Sequence, residues 1–112
     1  MSEDTVFGKI LRGEIPSEEV FSDEKCLAFR DVQPQAPIHI LVIPRKPLRS
    51  LLEAQQEDME LLGHLLLVAK KVASQEDLTS WRTVINTGES SGQTVFHLHL
   101  HVIGGRELGW PP

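Results

Sequence analysis

Histidine at every second position is the feature of this chain that most clearly points to chemistry. The strand-like run from His97 to Ile103 alternates imidazoles with apolar side chains, and its histidines are His97, His99 and His101. Successive side chains of a β-strand point to opposite faces, so we expect the three imidazoles on one face and Leu98, Leu100 and Val102 in the core. His39 lies in a second strand-like run, residues 38 to 43. We expect it to complete a cluster of four.

One histidine on the outer face of a strand can occur by chance. Three histidines at alternating positions are much harder to explain in that way. A zinc site is a second hypothesis, because imidazole is the commonest metal ligand. Side chains two apart on a strand start roughly 7 Å from each other, and the outer pair about 13 Å, so one ion cannot easily bind all three. A zinc site would use two of the triad with His39 or an acidic residue.

Catalysis at phosphorus accounts for more of the pattern. A neutral imidazole can attack phosphorus or accept a hydrogen bond, and a protonated one can stabilise phosphoryl oxygens or protonate a leaving group. The ordinary imidazole pKa, near 6.5, allows both forms at neutral pH. The loop from Gly88 to Thr94, directly before the histidines, carries glycines and short hydroxyls. Its backbone amides are expected to face phosphate oxygens.

Composition restricts the class of protein. The 112 residues have the length of one domain, and a net charge of −5 argues against nucleic-acid binding, which requires clustered Lys and Arg. Cys26 is the only cysteine, so no intrachain disulfide forms, and we expect a small buried side chain there. No apolar run reaches the roughly 20 residues of a membrane span, and the acidic start is unlike a signal peptide. We therefore expect a cytoplasmic protein that binds no membrane.

Periodicity predicts the elements that position the histidines. We expect a short helix, begun at Asp4 or Thr5, and one long helix from about Gln55 to Ala73, where apolar residues recur at spacings of three and four. A hairpin over residues 19–29 and strands over residues 38–43, 81–86 and 97–103 complete the set. His64, within the long helix, is expected to be structural. These elements predict an α+β fold with an about five-stranded, mostly antiparallel sheet, one long helix and one short helix.

The histidine run resembles the His-φ-His-φ-His-φ-φ motif, with φ apolar, of the histidine triad (HIT) superfamily. Further segments resemble its histidine triad nucleotide-binding (Hint) branch; they are Phe7-Gly8-Lys9-Ile10, Glu14-Ile15-Pro16, Leu27-Ala28-Phe29, Asp31, Pro34-Gln35-Ala36-Pro37, His39, Leu41-Val42-Ile43-Pro44, Leu62-Gly63-His64-Leu65 and Trp110-Pro111-Pro112. The resemblance implies that residues 1–112 form one HIT domain.

The resemblance also implies an enzyme, a purine nucleoside phosphoramidase or nucleotidyl hydrolase that forms a covalent nucleotidyl-histidine intermediate. It releases a nucleoside monophosphate and needs neither metal nor another cofactor. His99 matches the nucleophile, and His101 matches the histidine that contacts the α-phosphate and assists the leaving group. His97 and His39 match supporting members of the cluster.

A nucleotide site follows from the same resemblance. Asp31 matches the carboxylate that accepts hydrogen bonds from the ribose hydroxyls, and Thr94 stands where Hint proteins often carry serine. The apolar residues that match the cleft for the base are Phe7, Ile10, Phe29 and Val32. The polar residues that match the surroundings of the phosphate and scissile bond are Asn86, Gln93 and Thr94.

Hint proteins form homodimers, so the resemblance implies a C2 dimer with a continuous sheet, in which Trp110 reaches the partner's substrate site. Three alternatives remain open: a dinucleoside polyphosphate hydrolase, a nucleotide-binding scaffold with incidental turnover, and a zinc-binding module. The sequence does not predict the leaving group, or the choice between adenine and guanine.

Overall fold

A computed structural model of the chain describes residues 4–112 and contains a five-stranded sheet with two helices. In chain order the elements are α1 (Val6–Leu11), β1 (Glu19–Ser22), β2 (Cys26–Arg30), β3 (Ile38–Pro44), α2 (Met59–Gln75), β4 (Trp81–Val84) and β5 (Leu100–Gly104). The strand order is β1-β2-β3-β5-β4, and every neighbouring pair is antiparallel. This confirms the predicted α+β fold.

The short helix α1 begins where the sequence predicts. The Thr5 hydroxyl accepts a hydrogen bond from the Gly8 amide at 3.1 Å, and so satisfies one of the amides that a helix start leaves without a partner. After Leu11 the chain turns at Gly13, whose φ of +76° lies in the left-handed region that glycine adopts without strain. Asp4, the alternative start, lies before the helix.

The long helix α2 begins at Met59, four residues later than predicted. Residues 56–58 form a 3₁₀ turn instead, because the Asp58 carboxylate accepts hydrogen bonds from the Gln55 amide at 2.8 Å and from Lys46 Nζ at 2.5 Å. The face of α2 that is buried against the sheet carries Leu65, Val68, Ala69, Val72 and Ala73. No helix within residues 4–112 is long and apolar enough to cross a membrane.

Each face of the sheet has its own core. Alternate strand residues, such as Ala28, Ile40 and Val42, pack beneath α2 in the larger core. The residues between them, including Phe29 and Leu41, pack with Phe7 of α1 in a smaller one. Leu98, Leu100 and Val102 belong to the larger core, as predicted from the alternation. The α1 face is therefore the one that carries the histidine site.

The structure corrects the predicted strand at residues 97–103. β5 begins only at Leu100, so His97 and His99 lie in the irregular segment before it. Two hydrogen bonds with the β3 end and its following loop hold this segment: Leu98 N donates to the Leu48 carbonyl at 2.7 Å, and His97 Nε2 donates to the Pro44 carbonyl at 2.8 Å. The three imidazoles do not share one site, because His99 and His101 line one cavity and His97 lines another. β4 likewise ends at Val84, before the predicted Asn86.

Candidate active site

A cavity of about 400 Å³ opens between α1, the end of β2 and the histidines. Eight of the predicted site residues line it: Phe7, Ile10, Phe29, Asp31, Val32, Thr94, His99 and His101. The strands explain this convergence, since Leu41 and His101 are paired in the β3–β5 register and Phe29 faces Leu41 in the β2–β3 register. The cavity has the size and the mainly apolar lining of a small-molecule site.

The main chain sets the tautomer of His99. Its Nδ1 lies 2.8 Å from the carbonyl oxygen of His97, and because a carbonyl only accepts, Nδ1 carries the proton. The neutral ring therefore keeps a lone pair on Nε2. Phe7 contacts the same ring edge to face, with 5.0 Å between centroids. Burial lowers the pKa of His99, against the opposing effect of the hydrogen bond to His97, so Nε2 stays unprotonated at neutral pH.

His39 and His101 form a directed hydrogen-bonded pair. The Gln35 backbone amide donates to His39 Nδ1 at 3.0 Å, so neutral His39 carries its proton on Nε2. His39 Nε2 lies 2.9 Å from His101 Nδ1 and donates to it. His101 must then carry its own proton on Nε2. The predicted position of His39 beside the triad is therefore found, with His101 as its partner.

Burial keeps both rings of this pair neutral. It lowers the pKa of His39, although the nearby Asp31 carboxylate raises it. Burial, together with repulsion from His99 and His39, lowers the pKa of His101 to about 4, again against Asp31. At neutral pH the site thus offers one nucleophilic nitrogen on His99 and one N–H donor on His101.

Asp31 lies at the edge of the cavity and also beside the histidine pair. Its backbone amide donates to the His39 carbonyl at 2.9 Å, which places the two residues side by side. Its Oδ1 accepts from the Gln33 amide at 2.8 Å, and its Oδ2 lies 3.4 Å from His39 Nε2. A carboxylate offers about four lone-pair positions, so Asp31 has acceptor sites for the ribose hydroxyls that the sequence analysis assigns to it.

His97 lies apart from the other three rings. Its side chain is buried and lines a separate cavity of about 140 Å³ between α1 and the segment after β3. Nε2 donates to the Pro44 carbonyl, and Nδ1 has no hydrogen-bond partner within residues 4–112. His97 reaches the cluster through its carbonyl oxygen, which fixes His99.

The loop before the histidines is organised by Gln93, which is 1 % exposed. Its Oε1 accepts from the Gly88 amide at 2.9 Å, and its Nε2 donates to the carbonyls of Arg49 and Val95 at 2.8 and 3.1 Å. The cavity lining includes neither Gln93 nor Asn86. Of the residues predicted to surround the phosphate, Thr94 is the one that the structure brings to the cavity.

The predicted cleft for the base is open on one side. Phe7 and Phe29 are buried and pack edge to face at 5.6 Å, whereas Val32 is 93 % exposed at the rim. The cavity also includes Val6, Ile15, Pro16, Ser17, Gln33, Leu41 and Val95, which the sequence analysis did not select. Leu41 could have been predicted, because it lies two residues from His39 on the same strand face. The contribution of residues 15–17 to the cavity could not, because only tertiary packing brings that segment there.

Among residues 4–112, two groups of side chains have the spacing of metal ligands. Asp31, His39 and His101 place ligand atoms within 4.8 Å of one another, so a metal here would use one member of the triad and not the predicted two. The second group, Asp23, Cys26 and His64, is already satisfied internally: His64 Nε2 lies 2.7 Å from Asp23 Oδ2. Burial and the neighbouring Asp23 raise the pKa of the Cys26 thiol to about 12, which favours the structural roles predicted for Cys26 and His64.

Trp110 is 85 % exposed near the end of the chain. The preceding carbonyl, that of Gly109, accepts a hydrogen bond from Arg82 Nη2 at 2.7 Å, which fastens this segment to β4. Trp110 does not line the histidine cavity of its own chain.

The chain is similar in sequence to known proteins of one family. Residues 12–108 match the HIT domain family. An uncharacterized HIT-like protein of Synechococcus elongatus is 65 % identical over 113 aligned positions, covering 100 % of this chain and 99 % of the relative. A second, from Synechocystis, is 58 % identical with the same coverage.

Solved structures agree with the fold. A HIT family hydrolase from Legionella pneumophila superposes with a TM-score of 0.95 at 46 % identity, covering 97 % of this chain and 99 % of that one. A histidine triad protein from Clostridium difficile gives a TM-score of 0.90 at 41 % identity, with coverage of 95 % and 94 %.

Proposed function

The chain belongs to the HIT domain family, and on that basis we propose that it is a purine nucleoside phosphoramidate hydrolase of the Hint type. The name of the Legionella relative supports a hydrolase in general. The observation that carries the finer proposal is the pair of fixed tautomers: His99 keeps a lone pair on Nε2, while His101 presents Nε2–H in the same cavity.

Two displacements at phosphorus make up the reaction. His99 Nε2 attacks the α-phosphorus, a P–N bond to the ring forms, and the bond to the leaving amine breaks as the amine takes a proton. Water then attacks the nucleotidyl-histidine, the ring P–N bond breaks, and a nucleoside monophosphate leaves. Splitting one difficult displacement into two easier ones is the advantage of a covalent intermediate.

The remaining residues bind the nucleotide. Phe7, Ile10, Phe29 and Val32 contact the base, and Asp31 accepts the ribose hydroxyls. Thr94 lies beside the phosphate, with Gln93 holding the loop that presents it. We assign His97 and Asn86 supporting roles outside the cavity lining.

Adenosine 5′-phosphoramidate tests this proposal directly. We expect release of AMP by the wild-type chain and at least a thousandfold lower turnover for His99→Ala, as expected for loss of a nucleophile. His64→Ala is the matched control, because His64 contacts Asp23 away from the cavity. Wild-type turnover no greater than that of His99→Ala would contradict the proposal.

The alternatives give different results in the same assay. A diadenosine polyphosphate turned over faster than the phosphoramidate would favour the dinucleoside polyphosphate hydrolase, and tight AMP binding without turnover of any substrate would favour the scaffold. Loss of activity with a chelator, restored by zinc, would favour a metal site at Asp31, His39 and His101.

A further inference from the structure

Two neutral arrangements of protons fit the hydrogen bond between His39 and His101 with both rings in place. In the first, His39 Nε2 donates to His101 Nδ1, and His101 carries its own proton on Nε2. In the reverse arrangement, His101 Nδ1 donates to His39 Nε2, His39 carries its proton on Nδ1, and His101 Nε2 has a bare lone pair. Only the first arrangement gives the proposed reaction an N–H donor on His101.

The backbone amide of Gln35 selects between the two arrangements. It donates to His39 Nδ1 at 3.0 Å, and an amide N–H only donates. In the reverse arrangement this amide would face a second N–H on His39 Nδ1, so it favours the first. The position of Gln35 therefore determines which kind of nitrogen His101 presents in the cavity.

Arg106 holds Gln35 from the other side of the same residue. Arg106 Nε donates to the Gln35 carbonyl at 3.0 Å, and Arg106 Nη1 donates to the Glu107 carbonyl at 2.8 Å. The guanidinium is planar and its donors point in fixed directions, so the contact with Glu107 helps to orient the contact with Gln35. Gln35 is thus bonded at both of its main-chain polar groups, through its N–H to His39 and through its carbonyl to Arg106.

Gly105 lets the turn after β5 approach the loop that contains Gln35. Its φ of +91° lies in the left-handed region, and a Cβ at this position would lie only 3.1 Å from Pro37 Cβ. Ile38 and Gly104 are paired in the β3–β5 register, so the loop enters β3 where β5 ends. The fold therefore brings the residue after Gly105 beside the loop.

Arg106 itself is exposed, and it is not among the residues that line the histidine cavity. We propose that Arg106 is a positioning residue: it holds the Gln35 amide on His39 and so keeps the proton of His101 on Nε2. This role rests on the proposed function, to which it adds a residue outside the cavity.

Amide hydrogen exchange tests the Arg106–Gln35 contact without any substrate. Arg106→Met removes the donors while keeping a long side chain. One hydrogen bond corresponds to about a fivefold change in an equilibrium, so we expect the Gln35 amide to exchange about fivefold faster than in the wild type. The Asp31 amide, bonded to the His39 carbonyl at 2.9 Å, is the internal control and should keep its rate. Equal acceleration of both amides would mean general loosening of the loop and would overturn the proposal.

Nitrogen-15 NMR of the imidazoles reports where the protons lie. At about pH 8 histidine side chains are neutral, so the measurement follows the arrangement of protons and not their number. His101 Nε2 should give the shift of a protonated nitrogen in the wild type and move toward the unprotonated value in Arg106→Met. Arg106→Lys keeps a donor for the Gln35 carbonyl and should restore most of the wild-type shift. An unchanged shift in Arg106→Met would contradict the proposal.

Turnover connects this arrangement to the reaction. With adenosine 5′-phosphoramidate, kcat of Arg106→Met should fall in proportion to the reversed fraction that NMR gives, by no more than about fivefold. Arg45→Met is the matched control, because Arg45 Nε donates to another main-chain carbonyl, that of Asp23, at 2.9 Å. It should leave the Gln35 exchange rate, the His101 shift and kcat as in the wild type.

A fall in kcat without reversal of the pair would show that Arg106 acts in another way, and would also overturn the proposal. If the wild type does not hydrolyse the phosphoramidate, the proposed function fails. Amide exchange and NMR then still decide whether Arg106 positions Gln35 and the imidazole pair.

Discussion

The carbonyl oxygen of His97 accepts the Nδ1 proton of His99 at 2.8 Å, so a main-chain atom aligns the proposed nucleophile. The His97 ring points elsewhere and donates to Pro44. The contribution of this residue to catalysis therefore does not require an imidazole.

Replacing that ring tests the distinction. We expect His97→Gln, whose amide can still donate to the Pro44 carbonyl, to keep kcat within about threefold of wild type while losing about 1 kcal/mol of unfolding free energy. Steady-state kinetics and urea unfolding measure the two effects. A loss of activity as large as that of His99→Ala would mean that the ring itself takes part.

Phe7 contacts both the His99 ring and the smaller core. Phe7→Leu conserves most of the buried volume, so we expect less than about 1.5 kcal/mol of destabilisation. Turnover should fall about tenfold, because the aromatic edge no longer restrains His99. Phe21→Leu in β1, which packs against the other core, is the control and should lose stability without losing turnover. Equal kinetics for the two variants would contradict this role.

Gln93 connects the loop before the histidines to the segment after β3. Gln93→Ala removes three partly buried hydrogen bonds and the packing of a buried side chain, and we expect a loss of about 2–4 kcal/mol of unfolding free energy. The KM should rise because Thr94 and Val95 are then less well held at the cavity. The exposed Gln75→Ala should change stability by less than about 0.5 kcal/mol. A Gln93→Ala chain as stable as that control would refute the assignment.

Stability should decrease in mild acid because of the buried imidazoles. The pKa of His101 is lowered to about 4 in the folded chain, against an ordinary value of 6.5. Between these values the unfolded state binds more protons, so the free energy of unfolding falls as the pH falls from 6.5 toward 4. Urea unfolding at pH 7 and pH 5 should show this loss in the wild type and a smaller one in His101→Gln. Identical pH dependence in both proteins would count against it.

The predicted dimer remains to be measured. Leu66, Leu67 and Met59 are exposed on α2, and Trp110 is exposed beyond β4. We expect sedimentation at micromolar concentration to give twice the chain mass of 12.6 kDa. Trp110→Ala should lower kcat/KM several-fold without dissociating the dimer, since its proposed contact is with the partner's substrate site. A monomer with full activity would rule out both expectations.

Elements with a strong repeating pattern were predictable from the sequence. The 3.6-residue period identified α2, and the alternation over residues 98–102 identified the apolar side of β5. Boundaries were less accurate, because one of the two Asp58 hydrogen bonds before α2 comes from Lys46, in another segment.

The chemistry of the site could be predicted from its residue types, but only part of its geometry could. The position of His39 beside His101 follows from strand neighbours, whereas the displacement of the His97 ring depends on a hydrogen bond to a carbonyl 53 residues away. The hydrogen bond from Gln93 Nε2 to the Arg49 carbonyl, 44 residues away, is also non-local. Such contacts form only when the whole chain has folded, so they cannot be predicted from local sequence patterns.

One backbone group fixes the proton position in the His39–His101 pair, the amide of Gln35. Proline is the one standard residue without that N–H, so Gln35→Pro alone among substitutions at this position removes the donor directly. An engineer who replaces the exposed Val32 at the cavity rim to accept a different base therefore leaves this main-chain donor, and with it the arrangement of imidazole protons, in place.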